Sequence, residues 1–262
     1  MNTVSPCMLA APHFVHQVYT IRLDTQENLS IVPCGLCHIM AIYGDPILLN
    51  GKQVSGVVLL HHQSTTLEMS SSGKSVIIFA RCIALAQYYI NNDTHDRDAL
   101  IGETTINQIN HNLNLQYKQI DKERHFNRYL RLITIPKQPP LLDSVLRYIY
   151  QLQGCVSTRD IITRYATNAR ELQSQFQKFI EDAPTAYGQK VCFYACVSEL
   201  CTTGGKNPRG VIHKYYAGME SYNRMVLKFN QGRDPLATFS KLTIQFLKLD
   251  YRLTTSCPMP FN

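Results

Sequence analysis

The sequence predicts an α+β protein: a β-barrel at the N-terminus, helices following it, and then an all-α domain. Three observations carry this expectation. Short β-rich runs separated by turn residues fill residues 14–90. From about residue 98 onward, apolar residues recur at helical spacing instead. Between the halves, Ile135-Pro136-Lys137-Gln138-Pro139-Pro140 places three prolines within five positions, which excludes helix and favours an extended spacer. A chain of 262 residues suits two domains of ordinary size, expected at residues 1–136 and 141–262, each with its own core.

Taken in order, the runs HQVYTIRLD, LSIVP, CHIMAIYG, PILLNG, GVVLLHHQ and SVIIFARC read as strands. Gly44-Asp45-Pro46, Asn50-Gly51 and Ser71-Ser72-Gly73-Lys74 mark turns between them. Asn50-Gly51 favours a type I′ hairpin, because both residues tolerate the positive φ which that turn requires. Strands this short and this closely spaced suggest a sandwich or barrel, with a jelly-roll barrel as the expected form. Farther on, Leu100, Ile101, Ile106, Ile109 and Leu113 fall at helical intervals within residues 98–116, and residues 121–133 continue similarly. Two or three helices are therefore expected before the linker.

Beyond the linker, Leu142, Val145, Leu146, Ile149 and Leu152 share one face of a helix over residues 141–153, and Gly154 stands where helices commonly close. Ser157 and Asp160 form the S/T-x-x-D pattern of a helix start. That helix carries Ile161, Ile162 and Tyr165 inward, breaks near Ala166–Asn168, and is followed by Leu172, Phe176 and Phe179 at helical spacing. The segment Ser157–Tyr187 thus reads as a helix-turn-helix. Arg170, Gln173, Ser174 and Gln177 occupy the outward face of its second helix. Side chains of these types pair with base edges in a major groove while cations elsewhere hold the phosphates. A solvated amphipathic helix has the same periodicity, so the pattern alone does not separate the two.

Charge adds a second signal. Residues 1–136 hold ten Lys/Arg and ten Asp/Glu, whereas residues 137–262 hold sixteen and nine, so the net charge of +7 lies in the C-terminal half. A neutral front and a basic back suggest that only the back meets a polyanion such as nucleic acid. The first twenty residues lack a basic start with an apolar core, and no run of eighteen apolar residues occurs, which argues against secretion and membrane spanning. Nine scattered cysteines favour reduced thiols in a cytoplasm over a disulfide framework.

The spacing within Ser157–Tyr187 resembles the first helix-turn-helix of the AraC/XylS family of transcription regulators. That family's signature runs through a polar residue, Arg, Leu, Arg, Phe, Gly, Pro and Tyr. Asn168, Arg170, Leu172, Phe176, Pro184 and Tyr187 fall on these positions, while Ser174 replaces the second Arg and Glu181 the Gly. A missing Arg removes a bidentate contact to guanine, and a non-Gly residue in that turn must accept or change an unfavourable backbone angle. Residues 211–239 resemble a weaker second unit, with Ser221, Leu227, Gly232 and Pro235 on family positions. Tyr216-Ala217 stands at its entry and Met225 at the usual Arg site, with Gly218 and Arg224 close by. The N-terminal half resembles the cupin-like sensory domain of such regulators, with Pro33 and Gly35 placed as in its proline-then-glycine turn.

This resemblance implies a cytoplasmic, sequence-specific regulator whose partner is double-stranded DNA, with a homodimer formed by the helices after the barrel and a small-molecule effector. The base-reading set is Arg170, Gln173, Ser174 and Gln177, then Ser221 and Arg224 in the second unit. Arg159, Arg164, Lys178, Lys190, Lys214 and Lys228 are the phosphate candidates, with Arg209 and Arg233 as further cations. No membrane partner and no cofactor are implied. Cys34-Gly-Leu-Cys37 has the form of a redox pair or half a zinc site, with His38, His61 and His62 nearby, but no second C-x-x-C follows and strand alternation separates its thiols. Cys192, Cys196 and Cys201 suit helix packing. Ser70-Ser-Ser-Gly-Lys-Ser75 lacks the first glycine and following helix of a phosphate loop and reads as a hairpin turn. No catalytic constellation stands out, so the expectation is a non-enzyme. The alternatives are a degenerate regulator acting through protein contacts and a cupin-like metal-binding protein.

Overall fold

A computed structural model describes residues 3–7, 12–25, 28–60, 63–86, 88, 90, 119–133 and 139–256. Among the described residues seven strands come first: β1 (Thr3–Pro6), β2 (Val15–Leu23), β3 (Asn28–Ile31), β4 (Cys37–Leu49), β5 (Lys52–Leu60), β6 (Leu67–Ser71) and β7 (Ser75–Cys82). They form one antiparallel sheet in the order β1-β2-β7-β4-β6-β3, with β5 on the other edge of β4. The sheet curls into a half-barrel because β4 changes neighbour along its length. Its first part pairs with β7 from Cys37 to Gly44, and its end pairs with β6 through Ile47, Leu48 and Leu49.

The bend falls at Gly44-Asp45-Pro46, expected as a turn between two strands and found as an irregularity inside one long strand. Gly44 has φ +93°, and a Cβ there would lie 2.5 Å from the Lys74 carbonyl oxygen, so only glycine lets the strand fold over at this point. Asn50 and Gly51 take φ of 47° and 78° and join β4 to β5 as a two-residue hairpin, as expected. Ser71–Ser75 departs from the hairpin turn expected there: β6 and β7 pair not with each other but successively with β4, so the segment is a kink between two strands on the same edge of β4, tied by a 2.7 Å Ser71 to Ser75 hydroxyl contact. Strands β1 and β6 escaped the sequence reading, since TVSP and LEMSS are too short and too polar to stand out.

Nine helices follow among the described residues: α1 (Gln119–Leu132), α2 (Pro140–Gln151), α3 (Thr158–Tyr165), α4 (Ala169–Phe179), α5 (Pro184–Thr203), α6 (Pro208–Tyr215), α7 (Met219–Asn230), α8 (Pro235–Thr238) and α9 (Lys241–Ser256). The helical expectation over residues 98–116 and most of the proline-rich linker lie outside the described residues. None of the described helices is long and apolar enough to cross a membrane.

The two halves do not keep separate cores. One apolar cluster joins Tyr19, Ile21, Met40 and Phe79 of the sheet to Phe193, Val197, Phe246 and Leu247 of α5 and α9. A second joins Phe14, Cys37, Ile39 and Ala80 to Phe126, Leu142, Ile149 and Tyr187. Gly35, at φ +78°, lets the β3–β4 loop press on α5, where an added Cβ would meet the Tyr187 ring at 2.9 Å. The Tyr150 hydroxyl donates to the Cys34 carbonyl of the same loop at 2.6 Å. The Thr66 backbone and hydroxyl both donate to the Phe229 carbonyl, at 2.7 and 2.9 Å. At the centre of the junction Asp250 of α9 is fully buried and accepts from Arg81 of β7, from the Tyr19 hydroxyl, and from the Tyr194 hydroxyl of α5 at 2.6 Å. Burying that carboxylate is tolerable because a cation and two hydroxyls replace its water.

Candidate nucleic-acid interface

The first helix pair is built as its sequence dictates. Ser157 caps α3 with a full capping box: its hydroxyl accepts from the Asp160 backbone at 3.1 Å, and the Asp160 carboxylate accepts from the Ser157 backbone at 3.1 Å. Ala166, at φ 48°, ends α3 in the left-handed region, and Asn168 starts α4 by accepting from the Glu171 backbone at 2.8 Å. Ile161, Leu172, Phe176 and Ile180 are buried, each such side chain contributing about 1.5–3 kcal/mol through loss of contact with water. Leu152, expected inward, is instead 40% exposed, because α2 ends at Gln151 and the chain turns away there.

The burial of one α4 face decides what the other presents. Arg170, Gln173, Ser174 and Gln177 all stand exposed on it, with Lys178 at its end. Glu181 keeps the geometry that glycine would supply, at φ 58°. It therefore accepts a left-handed backbone that costs an ordinary residue about 1–2 kcal/mol.

The second pair, α6 and α7, begins at Asn207, whose side chain accepts from the Gly210 backbone at 3.0 Å. Helix α7 starts after Gly218, and Tyr222, Val226 and Phe229 are buried beneath it. Counting from the two caps, Asn168 and Gly218, places Arg224 where α4 has Ser174, Asn223 where it has Gln173, and Leu227 where it has Gln177. Asn223 and Arg224 are exposed, and Leu227 is 68% exposed. Sequence reasoning passed over Asn223 and took Leu227 only as a family position. The signal that finds them is the distance from the cap, which needs the start of α7. Ser221 is half-buried and accepts from the Arg224 guanidinium at 3.2 Å.

The phosphate candidates divide. Arg159, Arg164, Lys178, Lys214 and Lys228 are exposed, and Arg209 with them. Arg164 stacks over the Tyr148 ring at 4.5 Å, Lys214 pairs with Glu199 at 2.6 Å, and Lys228 donates to Gln189 at 2.8 Å. Lys190 departs from the expectation: it is buried on α5 and ion-paired to Asp182 at 2.7 Å, so it braces the end of α4 and does not face solvent. Arg233 reaches across to Glu68 on the sheet at 3.4 Å.

Helix α5 connects the units and is buried almost all round, Cys192, Cys196 and Cys201 included. Its 20 residues span about 30 Å at 1.5 Å per residue. Among the described residues no cluster of His, Cys, Asp and Glu has the form of a metal site. Cys34 contacts His38 at 3.6 Å whereas the Cys37 thiol donates to the Ile83 carbonyl at 3.5 Å, so the two thiols face different surroundings. His61 and His62 lie outside the described residues. A polar cavity of about 350 Å³ opens between the halves, lined by Asn28, Ser30, Glu68, Arg233, Ser240 and Lys241 among others.

No protein-family profile matches the chain, and no curated protein sequence matches it. Solved structures similar to it include ToxT from Vibrio cholerae at 1.65 Å, with a TM-score of 0.46 and 11% identity over 88% of this chain and 98% of that one. Unsaturated fatty acid bound wild-type ToxT from Vibrio cholerae strain SCE256 gives 0.47 and 12%, over 88% and 98%. ToxT from Vibrio cholerae O395 bound to (E)-4-(8-methylnaphthalen-1-yl)but-3-enoic acid gives 0.47 and 11%, over 81% and 94%.

Proposed function

We propose that the chain is a sequence-specific DNA-binding transcription regulator of the AraC type, without enzymatic activity of its own. The observation that carries this reading is the pair of helix-turn-helix units on one buried 20-residue helix, each with a second helix that leaves one face open, polar in α4 and mixed Asn223, Arg224 and Leu227 in α7. A connecting helix of about 30 Å is close to the roughly 34 Å between successive major grooves on one face of DNA. Arg170, Gln173, Ser174 and Gln177 read bases in the first unit. In the second, Arg224 and Asn223 read base edges, Ser221 steadies the Arg224 guanidinium, and Leu227 suits the methyl group of thymine. Arg159, Arg164, Lys178, Lys214 and Lys228 hold phosphates. Residues 1–136 act as a sensing and pairing domain and residues 141–262 as the DNA-binding domain. A polar small molecule in the cavity beside Glu68 and Arg233 would bear on both halves at once, since that cavity lies between them.

The test is binding of the purified protein to its own upstream DNA against excess random competitor, at several salt concentrations. Arg170→Ala should cost about 1–3 kcal/mol at one base pair, whereas Lys178→Ala should weaken all sequences alike and lower the salt slope by about one. Equal losses for Arg170→Ala on specific and random DNA, or a flat salt dependence, would overturn the reading.

A further inference from the structure

We propose that Cys155 and Cys192 are a redox-active thiol pair, which an oxidant of the peroxide class converts into an intramolecular disulfide that ties the α2–α3 loop to α5. Their sulfurs lie 3.9 Å apart although they stand 37 positions apart in the chain. The chain beside Cys155 also presses on α5. A Cβ on Gly154, the neighbour of Cys155, would lie 2.4 Å from the Cys192 nitrogen and 2.8 Å from the Cys192 Cβ. Cys155 is exposed and Cys192 is buried, and among the described residues Cys155 is the one thiol open to solvent in this way. An exposed thiol with a shielded partner in contact is the arrangement in which one attacks and the other resolves.

The surroundings of Cys155 favour its thiolate. The hydrogen bond from Cys192, opposed by partial burial and helped by the Lys214 ammonium, holds Cys155 down to about 7. At neutral pH a substantial fraction is therefore nucleophilic. In the first step the Cys155 thiolate attacks one peroxide oxygen, the O–O bond breaks, and after protonation water and a Cys155 sulfenic acid remain. In the second, the Cys192 sulfur attacks the Cys155 sulfur, the S–O bond breaks, and the sulfenic hydroxyl leaves as water with the Cys192 proton. Two thiols are oxidised and one peroxide is reduced to two waters.

Cys192 also connects the two helix pairs. While Cys155 is protonated, the Cys192 thiol donates to the Tyr215 carbonyl at the end of α6, at 3.7 Å, and its single proton turns to the Cys155 sulfur when Cys155 ionises. Disulfide formation consumes that proton, fixes the loop that leads into α3, and frees the carbonyl beside α6. The bond therefore alters how both recognition helices sit on α5. This consequence rests on the DNA-binding reading above, whereas formation of the disulfide does not.

The experiment oxidises the reduced full-length protein with hydrogen peroxide, blocks remaining thiols, and maps the digest by mass spectrometry. A Cys155–Cys192 linked peptide that dithiothreitol removes is expected. Cys192→Ser should leave a Cys155 sulfenic acid that dimedone traps, and Cys155→Ser should abolish the link. In parallel, affinity for the upstream DNA should change at least about five-fold on oxidation, the lower end of ordinary site coupling, and stay constant in Cys155→Ser. Failure to find the link, or finding Cys155 joined only to a second chain, overturns the pair. A link formed with unchanged affinity overturns its control of binding, and a reduced protein that binds no DNA overturns the DNA reading while the mapping still decides the pair.

Discussion

Replacing Asp250 with Asn removes the charge on which the junction of the two halves is centred. The Asp250 side chain is fully buried and the Arg81 guanidinium facing it is 3% exposed, so neither can recover hydration when its partner changes. Asn keeps the volume and one acceptor oxygen. It also presents an amide donor where the carboxylate accepted from Tyr19, Arg81 and Tyr194. An orphaned buried cation costs about 3–5 kcal/mol, against a total stability of order 5–15 kcal/mol. At about 2–4 °C per kcal/mol for a chain of this size, the melting temperature should fall by roughly 6–20 °C. Differential scanning calorimetry measures this directly. The companion variant Arg81→Met with Asp250→Leu removes both charges and should recover part of the loss, because an apolar pair has no charge to desolvate while the Tyr19 and Tyr194 hydroxyls still lose their acceptor. A melting temperature for Asp250→Asn within about 2 °C of the parent would refute the argument. So would a double variant that falls as far as the single one.

Three further outcomes follow from the same structure. Glu181→Gly should raise the melting temperature by a few degrees: relief of the left-handed backbone at φ 58° is worth about 1–2 kcal/mol, and the added chain entropy of Gly subtracts about 0.5–1; a fall would show that Glu181 is not strained. Gly35→Ala should lose about 2–4 kcal/mol in urea unfolding, since the new methyl meets Tyr187 at 2.9 Å and the backbone is at φ +78°. Wild-type stability in that variant would mean the loop is not clamped. His16 is pushed down to about 3 by burial and then by Arg81, so below pH 6.5 the unfolded chain takes up a proton that the folded chain refuses. Its influence is absent above pH 6.5, and stability should drop by up to about 1.4 kcal/mol per pH unit from there toward pH 3. His16→Gln should flatten that part of the profile, and an unchanged slope would exclude His16 as its source.

Features set by neighbours along the chain are legible in the sequence. The capping box at Ser157, the Asn50-Gly51 hairpin, the break before Asn168 and the buried row Leu172 and Phe176 each depend on residues within about one or two helical turns, where spacing and side-chain chemistry suffice. The polar face of α4 followed from the same periodicity. Asn223 and Leu227 did not, because their positions count from a cap at Gly218 that carries no side-chain signal. Lys190 was misjudged since a lysine looks alike in sequence whether it meets solvent or Asp182.

The amino-acid order alone thus determined the class of each half, the basic back and the helix pair within Ser157–Tyr187. Those properties rest on local periodicity and composition. Folding in three dimensions decided that the halves share their apolar clusters, that Asp250 is held by Arg81 and two tyrosines, and that Cys155 touches Cys192. Contacts between residues 37 to 231 positions apart leave no periodic trace, because each depends on where several elements dock at once. The backbone angle at Glu181, φ 58°, belongs with these, because it is set in the turn from α4 into α5.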